Sequence, residues 1–205
     1  MMTLTVQTIL IDSIKIFAIL NPISIIPVFL ALSQKRTEKE KQTIVVSAVG
    51  VAFGIAVAII FIGNYVLSFV GITIDSFRMA GGILLLLSAI DMFSGLARGK
   101  KPDPEAEDMG LLDIATVPLA TPLLLGPGTI TLLLTLTYQI PIIDILISTS
   151  IAMILSALFL LSGVYIKRII HDSGIKLLAR IMALIVASVA IELIHTTLVA
   201  WGIAV

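Results

Sequence analysis

The charged residues of this 205-residue chain are gathered into a few short stretches, and this spacing limits its fold more than any other feature. Between them run six apolar stretches, at roughly 5–32, 43–70, 74–96, 112–138, 142–166 and 180–203. Each is long enough for a helix that crosses a bilayer, which takes about 20 residues. We therefore predict an all-α, polytopic membrane protein with six transmembrane helices.

The composition favours the same class of protein. Hydrophobic residues make up 59% of the chain and charged residues 13%, against about 45–50% and about 25% in soluble domains. A net charge of zero gives no basis for binding nucleic acid. The absence of cysteine excludes disulfides and thiolate metal sites. We expect no metal site, no organic cofactor and no nucleic-acid partner; the partner that the composition predicts is the lipid bilayer.

Basic residues indicate how the six spans are oriented. The two turns near Gly71 and Pro141 carry no basic residue. By the positive-inside rule the basic loops are cytoplasmic, so both termini lie outside a multi-pass protein of the cell membrane. The other three connections, at 34–42, 97–110 and 167–176, are basic. Eleven of the thirteen Lys and Arg residues lie in or beside them: Lys35, Arg36, Lys39, Lys41, Arg98, Lys100, Lys101, Lys167, Arg168, Lys176 and Arg180.

A proline motif occurs twice, 100 residues apart. Asn21-Pro22 is followed by Pro27, and Thr121-Pro122 is followed by Pro127. Each copy begins a set of three spans, so the second set must enter the membrane from the opposite side. We predict a single transmembrane domain of two inverted three-helix repeats, 1–96 and 112–205, with a cytoplasmic linker at 97–111.

Prolines in the middle of a span break the hydrogen bonding of a helix. Each lacks an amide hydrogen, so a carbonyl one turn earlier loses its donor. In lipid such groups survive only against protein, water or ligand. Free N–H groups at the start of the following half-helix suit an anion, and freed carbonyls suit a cation. Two such breaks therefore favour a site for a zwitterion, although a pair of packing kinks is the alternative explanation.

Three stretches of the sequence resemble the MarC family of integral membrane proteins. They read NPISIIPVFLAL at 21–32, RMAGGILLLLSAIDMFSG at 78–95 and VPLATPLLLGPGTIT at 117–131. The resemblance implies a six-span fold like that of the SnatA-like transporters of small neutral amino acids, such as glycine or alanine. It further implies that the first and fourth helices are unwound where the substrate binds.

Carried over by position, the resemblance also implies two walls of a substrate site. Asn21 and Thr121 have the side chains best able to hydrogen-bond a substrate carboxylate or ammonium group. Ser24 stands where family members often have glycine. The first wall is Asn21, Pro22, Ser24 and Pro27, and the second is Thr121, Pro122, Gly126, Pro127 and Gly128.

Ionisable residues inside the spans are further candidates for function. Glu192 and His195 lie three positions apart near the middle of the sixth span, and they fit either a proton-coupling pair or a structural hydrogen-bonded pair. Asp91 is a third candidate for proton coupling, with helix capping or pairing to Arg98 as the alternative.

Two other patterns have structural explanations. Asp12 and Lys15 have the spacing of an ion pair within the first span. Gly81-Gly82, and Gly50 with Gly54, predict close contacts between helices.

Three functions fit this pattern. The first is a secondary transporter or exporter of small neutral amino acids, working by alternating access and coupled to H⁺ or Na⁺. The second is an exporter of the same fold that carries another small metabolite or a drug. The third, an intramembrane enzyme using Glu192 and His195 as acid and base, lacks an HExxH or GxSxG motif. We therefore expect a transporter and not an enzyme; the oligomeric state stays open.

Overall fold

The computed structural model describes residues 2–94 and 110–203, and these residues form helices and turns without a strand. Five helical stretches are long and apolar enough to cross a membrane, or six if one bent pair of helices counts as a span. This confirms the predicted all-α chain. The predicted linker at 97–111 lies largely outside the described residues. The helices are α1 (Met2–Leu20), α2 (Pro22–Leu32), α3 (Glu38–Val70), α4 (Ile74–Ser94), α5 (Leu111–Ile114), α6 (Pro127–Leu136), α7 (Ile142–Leu161) and α8 (Gly163–Ala200).

The sequence of helix α3 contains a capping signal at each end. At its start the Thr37 hydroxyl accepts from the Glu40 amide at 3.3 Å, and the Glu40 carboxylate accepts from the Thr37 amide at 2.7 Å, which is a capping box. At its end Gly71 adopts φ 77°, and the Ile72 amide donates to the Leu67 carbonyl at 3.0 Å. This is a Schellman motif, which needs glycine because of the positive φ. The loop and the turn beside α3 therefore follow from the sequence.

The main core forms where α3 packs against α7 and the residues before α6. Ala48, Ala52 and Ala56 are fully buried along one face of α3, since small side chains at four-residue spacing let neighbouring helices approach closely. Helix α1 packs on α7, where the Phe17 and Phe159 rings meet edge to face with centroids 5.3 Å apart. The two parts of the chain on either side of residues 95–109 thus share one core.

Helices α4 and α8 pack on each other and form a second, smaller cluster around Leu85, Ala89 and Ala190. A methyl group on Gly82 would lie 3.1 Å from the Ala190 carbonyl oxygen, and one on Gly81 would overlap the Thr131 side chain of α6. The prediction that Gly81-Gly82 permits close helix contact is confirmed.

The prediction that Gly50 and Gly54 do the same is wrong within the protomer. A methyl group on either glycine would meet no atom within 4 Å, and both residues are exposed. The reason is that α3 uses its alanine face for packing, which points these glycines outward. By contrast, the predicted pair of Asp12 and Lys15 is confirmed, with Lys15 Nζ 3.1 Å from Asp12 Oδ1.

Candidate functional site

The first helix break consists of one residue. Asn21 adopts the left-handed conformation, φ 45° and ψ 56°, between the end of α1 and the start of α2. Asparagine is among the few residues that visit this conformation, and Pro22 begins the next helix at a position where its missing amide hydrogen costs no bond. Helix α2 then continues through Pro27 to Leu32. The predicted break in the first span is confirmed.

The second helix break is longer and lies between α5 and α6. Over Ala115–Leu124 the chain forms wide turns, with the Leu125 amide donating to the Ala120 carbonyl five residues back at 2.9 Å. Val117 (φ −132°, ψ 120°) and Thr121 (φ −134°, ψ 130°) are extended. Each directly precedes a proline, whose ring disfavours helical conformation in the residue before it. The predicted break in the fourth span is also confirmed.

Helix α6 starts at the end of this break. Gly126 caps it in an extended conformation, and its carbonyl accepts the first helical hydrogen bond, from the Ile130 amide at 3.2 Å. The helix axis turns by 61° across the break. The amides of Gly128 and Thr129 lie in the first turn, where no acceptor exists within the helix. This end of α6 therefore offers N–H donors and the positive end of the helix dipole.

A cavity of about 220 Å³ lies between the two breaks. Helix α4 supplies a third side, with Leu85, Ser88, Asp91 and Met92, and Val186 of α8 also contributes. The first break supplies Asn21 and Ser24, and the second supplies Pro122, Leu123, Gly126, Pro127, Gly128 and Thr129.

The polar groups of the first break are partly satisfied by neighbours. Asn21 Nδ2 donates to Ser24 Oγ at 2.7 Å and to Met92 Sδ at 3.4 Å. Both amide hydrogens are therefore used. Asn21 Oδ1, however, is buried and has no hydrogen-bond partner among the described residues. An unpartnered buried acceptor is unfavourable, so this oxygen is suited to a ligand that donates a hydrogen bond.

Seven of the twelve predicted site residues meet at this cavity. Among the predicted substrate-binding residues, three do not line it. Pro22 is buried, and Pro27 lies within α2. The Thr121 hydroxyl donates to the Thr116 carbonyl at 3.3 Å. The predicted residues that line the cavity are Asn21, Ser24, Asp91, Pro122, Gly126, Pro127 and Gly128.

The sequence analysis missed Ser88, Met92 and Thr129. Ser88 and Met92 belong to the RMAGGILLLLSAIDMFSG stretch, and their spacing around Asp91 places them on the same side of α4. That shared face is the signal that could have identified them.

Glu192 and His195 are not brought to the cavity. Both side chains are exposed on α8, whereas Val186 of the same helix lines the cavity. Among the described residues, no group of three His, Cys, Asp or Glu side chains could hold a metal ion. The chemistry that the cavity itself offers is hydrogen bonding plus one carboxylate, that of Asp91.

Two helix breaks around a cavity, within a bundle of helices long and apolar enough to span a membrane, are typical of a polytopic integral membrane protein. A family model for MarC family integral membrane proteins matches residues 6–201, and the chain belongs to this family.

Curated relatives cover similar lengths. A UPF0056 membrane protein of Methanocaldococcus jannaschii is 38% identical over 88% of this chain and 90% of its own. The UPF0056 membrane protein YhcE of Escherichia coli is 34% identical over 89% of this chain and 88% of its own. A UPF0056 membrane protein of Pyrococcus abyssi is 36% identical over 88% of this chain and 89% of its own. No solved structure matches this chain.

Proposed function

We propose that this protein is a secondary transporter that moves small neutral amino acids, of the glycine or alanine type, across the cell membrane. The observation that carries this proposal is the cavity between the two breaks. Its first-break wall includes Asn21, whose Oδ1 has no hydrogen-bond partner among the described residues. Its second-break wall includes Gly128 and Thr129, whose amides lie in the first turn of α6. An ammonium group fits the acceptor and a carboxylate fits the amides at a helix N-terminus. A free amino acid carries both groups.

The size of the cavity favours a small cargo. Its volume of about 220 Å³ is below the range of about 300–1,000 Å³ that is typical of pockets for drug-sized ligands. Leu20, Ile25 and Leu85 supply apolar surface for a short side chain. This supports a small metabolite over a drug, the alternative cargo.

The proposed transport cycle is alternating access. The inverted halves, residues 1–96 and 112–205, rock about the substrate site and expose it to one side of the membrane at a time. Because the breaks belong to different halves, closing the halves brings the acceptor and the donors onto the substrate together. The predicted orientation, with both termini outside, belongs to the same proposal.

Coupling to H⁺ or Na⁺ is assigned to Asp91. Among the described residues, Asp91 is the one carboxylate that lines the cavity. It neighbours Met92, which contacts Asn21. An Asp91→Asn variant is expected to retain exchange of amino acid across vesicles but to lose accumulation driven by an ion gradient. Loss of both activities, with normal folding, would contradict this role.

The proposal is tested by counterflow in proteoliposomes. Vesicles loaded with unlabelled glycine or alanine should take up the labelled amino acid, whereas leucine and the drug ethidium should support little exchange. The control variant is Gly54→Ala, which should exchange glycine as the natural chain does, because that position is exposed and has open space around it. No glycine or alanine exchange above that of empty vesicles, with the control equally inactive, would contradict the proposal.

A further inference from the structure

The outward face of α8 carries two ionisable side chains within the apolar stretch Ser173–Ala200. Trp201 follows directly after α8, and Trp is enriched at membrane–water interfaces. Glu192 precedes it by about 13 Å of helix, and His195 by about 9 Å, so we place both residues in the hydrocarbon region. Both side chains are exposed, and neither forms a hydrogen bond or ion pair with the part of the chain that the structure describes. Ionisable groups facing lipid at this depth are costly and rare. We therefore expect protein to cover this face.

The two residues belong to a continuous exposed strip along α8. The opposite face, with Val186, Ala190 and Leu193, packs on α4, so the strip points away from the rest of the protomer. Its spacing of three or four residues matches the contact line between two parallel helices. We call this strip the α8 stripe: Ile181, Leu184, Ser188, Glu192, His195 and Val199.

We propose that the α8 stripe is the contact surface for a second copy of this chain, related by a two-fold axis along the membrane normal. Such an axis places the same residues at the same depth in both copies. Glu192 and His195 differ in depth by about 4.5 Å, so each carboxylate lies within one turn of His195 of the partner subunit. Acid and imidazole form two symmetric pairs, and each covers the group that the protomer leaves exposed.

The small side chain of Ser188 lets the two helices approach closely at the centre of this contact. Its hydroxyl already donates to the Leu184 carbonyl at 2.9 Å, so it needs no partner across the interface. The apolar ends of the stripe, at Ile181 and Val199, pack on their counterparts. The stripe is thus complementary to itself in charge and in shape.

The exposed face of α3 is the competing surface. Gly50, Gly54 and Ala58 form a line of small residues there, of a kind that often brings membrane helices together. This line carries no ionisable group that lipid would disfavour, which is why the α8 stripe is the stronger choice. A contact through α3 is one outcome of the test.

The natural absence of cysteine makes disulfide crosslinking a clean test. A disulfide requires Cα atoms about 4.4–6.8 Å apart. In membranes at low protein density, oxidised Ser188→Cys and Val199→Cys should run mostly as covalent dimers. Ala58→Cys on α3 and Ile154→Cys on α7, both exposed, should stay at background. Dimers at Ala58→Cys equal to those on the stripe, or none at either stripe position, would overturn the proposal.

The charge pairing is tested by energy transfer between labelled copies diluted into liposomes. Glu192→Gln and His195→Gln should each weaken dimerisation about tenfold. The exchanged double variant Glu192→His with His195→Glu restores the pairs and should return to within about threefold of the natural chain. Thermal unfolding of each variant identifies any that misfold. Unchanged dimerisation in well-folded single variants, or an exchanged variant as weak as the singles, would overturn the pairing.

Discussion

The two proline motifs share their spacing but break their helices to different extents. At the first motif, Asn21 alone leaves the helical conformation, and α2 runs on through Pro27. At the second, the chain leaves it at Val117 and Thr121, and a regular helix resumes only at Pro127. The first proline therefore begins a helix in the first motif, whereas the second proline begins one in the second motif.

The residues around the prolines explain the difference. Asn21 connects α1 to α2 through one left-handed residue. The β-branched Thr121, by contrast, is held extended by the proline that follows it. Ile26 is fully buried in the core, and its packing holds α2 together through Pro27. The corresponding residue of the second motif is Gly126, which has no side chain to bury.

The difference also divides the binding groups between the breaks. The short break leaves a buried acceptor, Asn21 Oδ1, in a fixed position. The long break provides the amide donors of α6 and, through Gly126 and Gly128, the space beside them. The proposed site for both ends of an amino acid therefore draws one group from each of two unequal breaks.

The largest effect is expected from Gly128→Ala. The added methyl group would overlap the Leu85 side chain, and overpacking of this kind costs about 2 kcal/mol. Glycine counterflow should fall about thirtyfold. At the corresponding position of the first motif, Val28→Ala should keep glycine counterflow within about threefold of the natural value.

The second variant Leu85→Ala supplies the control for this prediction. Combined with Gly128→Ala, it removes the overlapping group and should restore most of the counterflow. If the double variant stays as inactive as Gly128→Ala, the effect does not arise from this contact.

The next largest effect is expected from Asn21→Gly, which keeps the left-handed backbone and removes the amide. Loss of a hydrogen bond to a charged group costs about 1.5–3 kcal/mol, so the KM for glycine should rise at least about tenfold. Thr121→Ala should change it by less than about twofold, because the Thr121 hydroxyl bonds to the Thr116 carbonyl and not to the cavity.

Asn21→Ala separates binding from backbone conformation. Alanine also lacks the side-chain amide, but it tolerates the left-handed conformation poorly. The Asn21→Ala variant should therefore be less stable than Asn21→Gly by about 1–2 kcal/mol. Equal KM values in the natural chain and Asn21→Gly would remove Asn21 from the site.

A smaller effect is expected from Pro122→Ala. Without the proline, Thr121 is free to become helical, and the long break should shorten. Counterflow should fall about fivefold, and hydrogen exchange of the amides at 116–126 should slow. Pro22→Ala should change both little, because Pro22 occupies the first position of α2. Unchanged exchange in Pro122→Ala would mean that other residues hold the break open.

The smallest effect is expected from Gly126→Ala. Gly126 has φ −81° and ψ 172°, which any residue adopts, and the added methyl group would lie 3.1 Å from the Pro122 carbonyl oxygen. The melting temperature should shift by less than about 3 °C and counterflow by less than about twofold. A larger loss would show that the cavity needs the full space beside Gly126.

The sequence predicted most of the spans and the positions of both breaks, because charge spacing and prolines act locally. It was wrong about the gap between the fifth and sixth spans, at 142–166 and 180–203, because α8 already begins at Gly163 and is helical through that gap. It did not predict that the Thr121 hydroxyl bonds to the Thr116 carbonyl instead of lining the cavity, since the extended conformation at Thr121 depends on how the whole segment unwinds. It did not identify Ser88 or Met92, because their role depends on how α4 packs against the breaks. It also treated Gly50 and Gly54 as contact residues, although the alanines on the other face of α3 make the contact.

The central claim is that Asn21 Oδ1 and the amides of α6 hold opposite ends of one amino acid. The most direct test measures the dissociation constants of glycine and N-acetylglycine, which keeps the carboxylate but lacks the ammonium group, for the protein in lipid nanodiscs. The natural chain should bind glycine at least about tenfold more tightly, and Asn21→Gly should lose most of that preference. A natural chain that binds both equally, or a preference that Asn21→Gly leaves intact, would contradict the account.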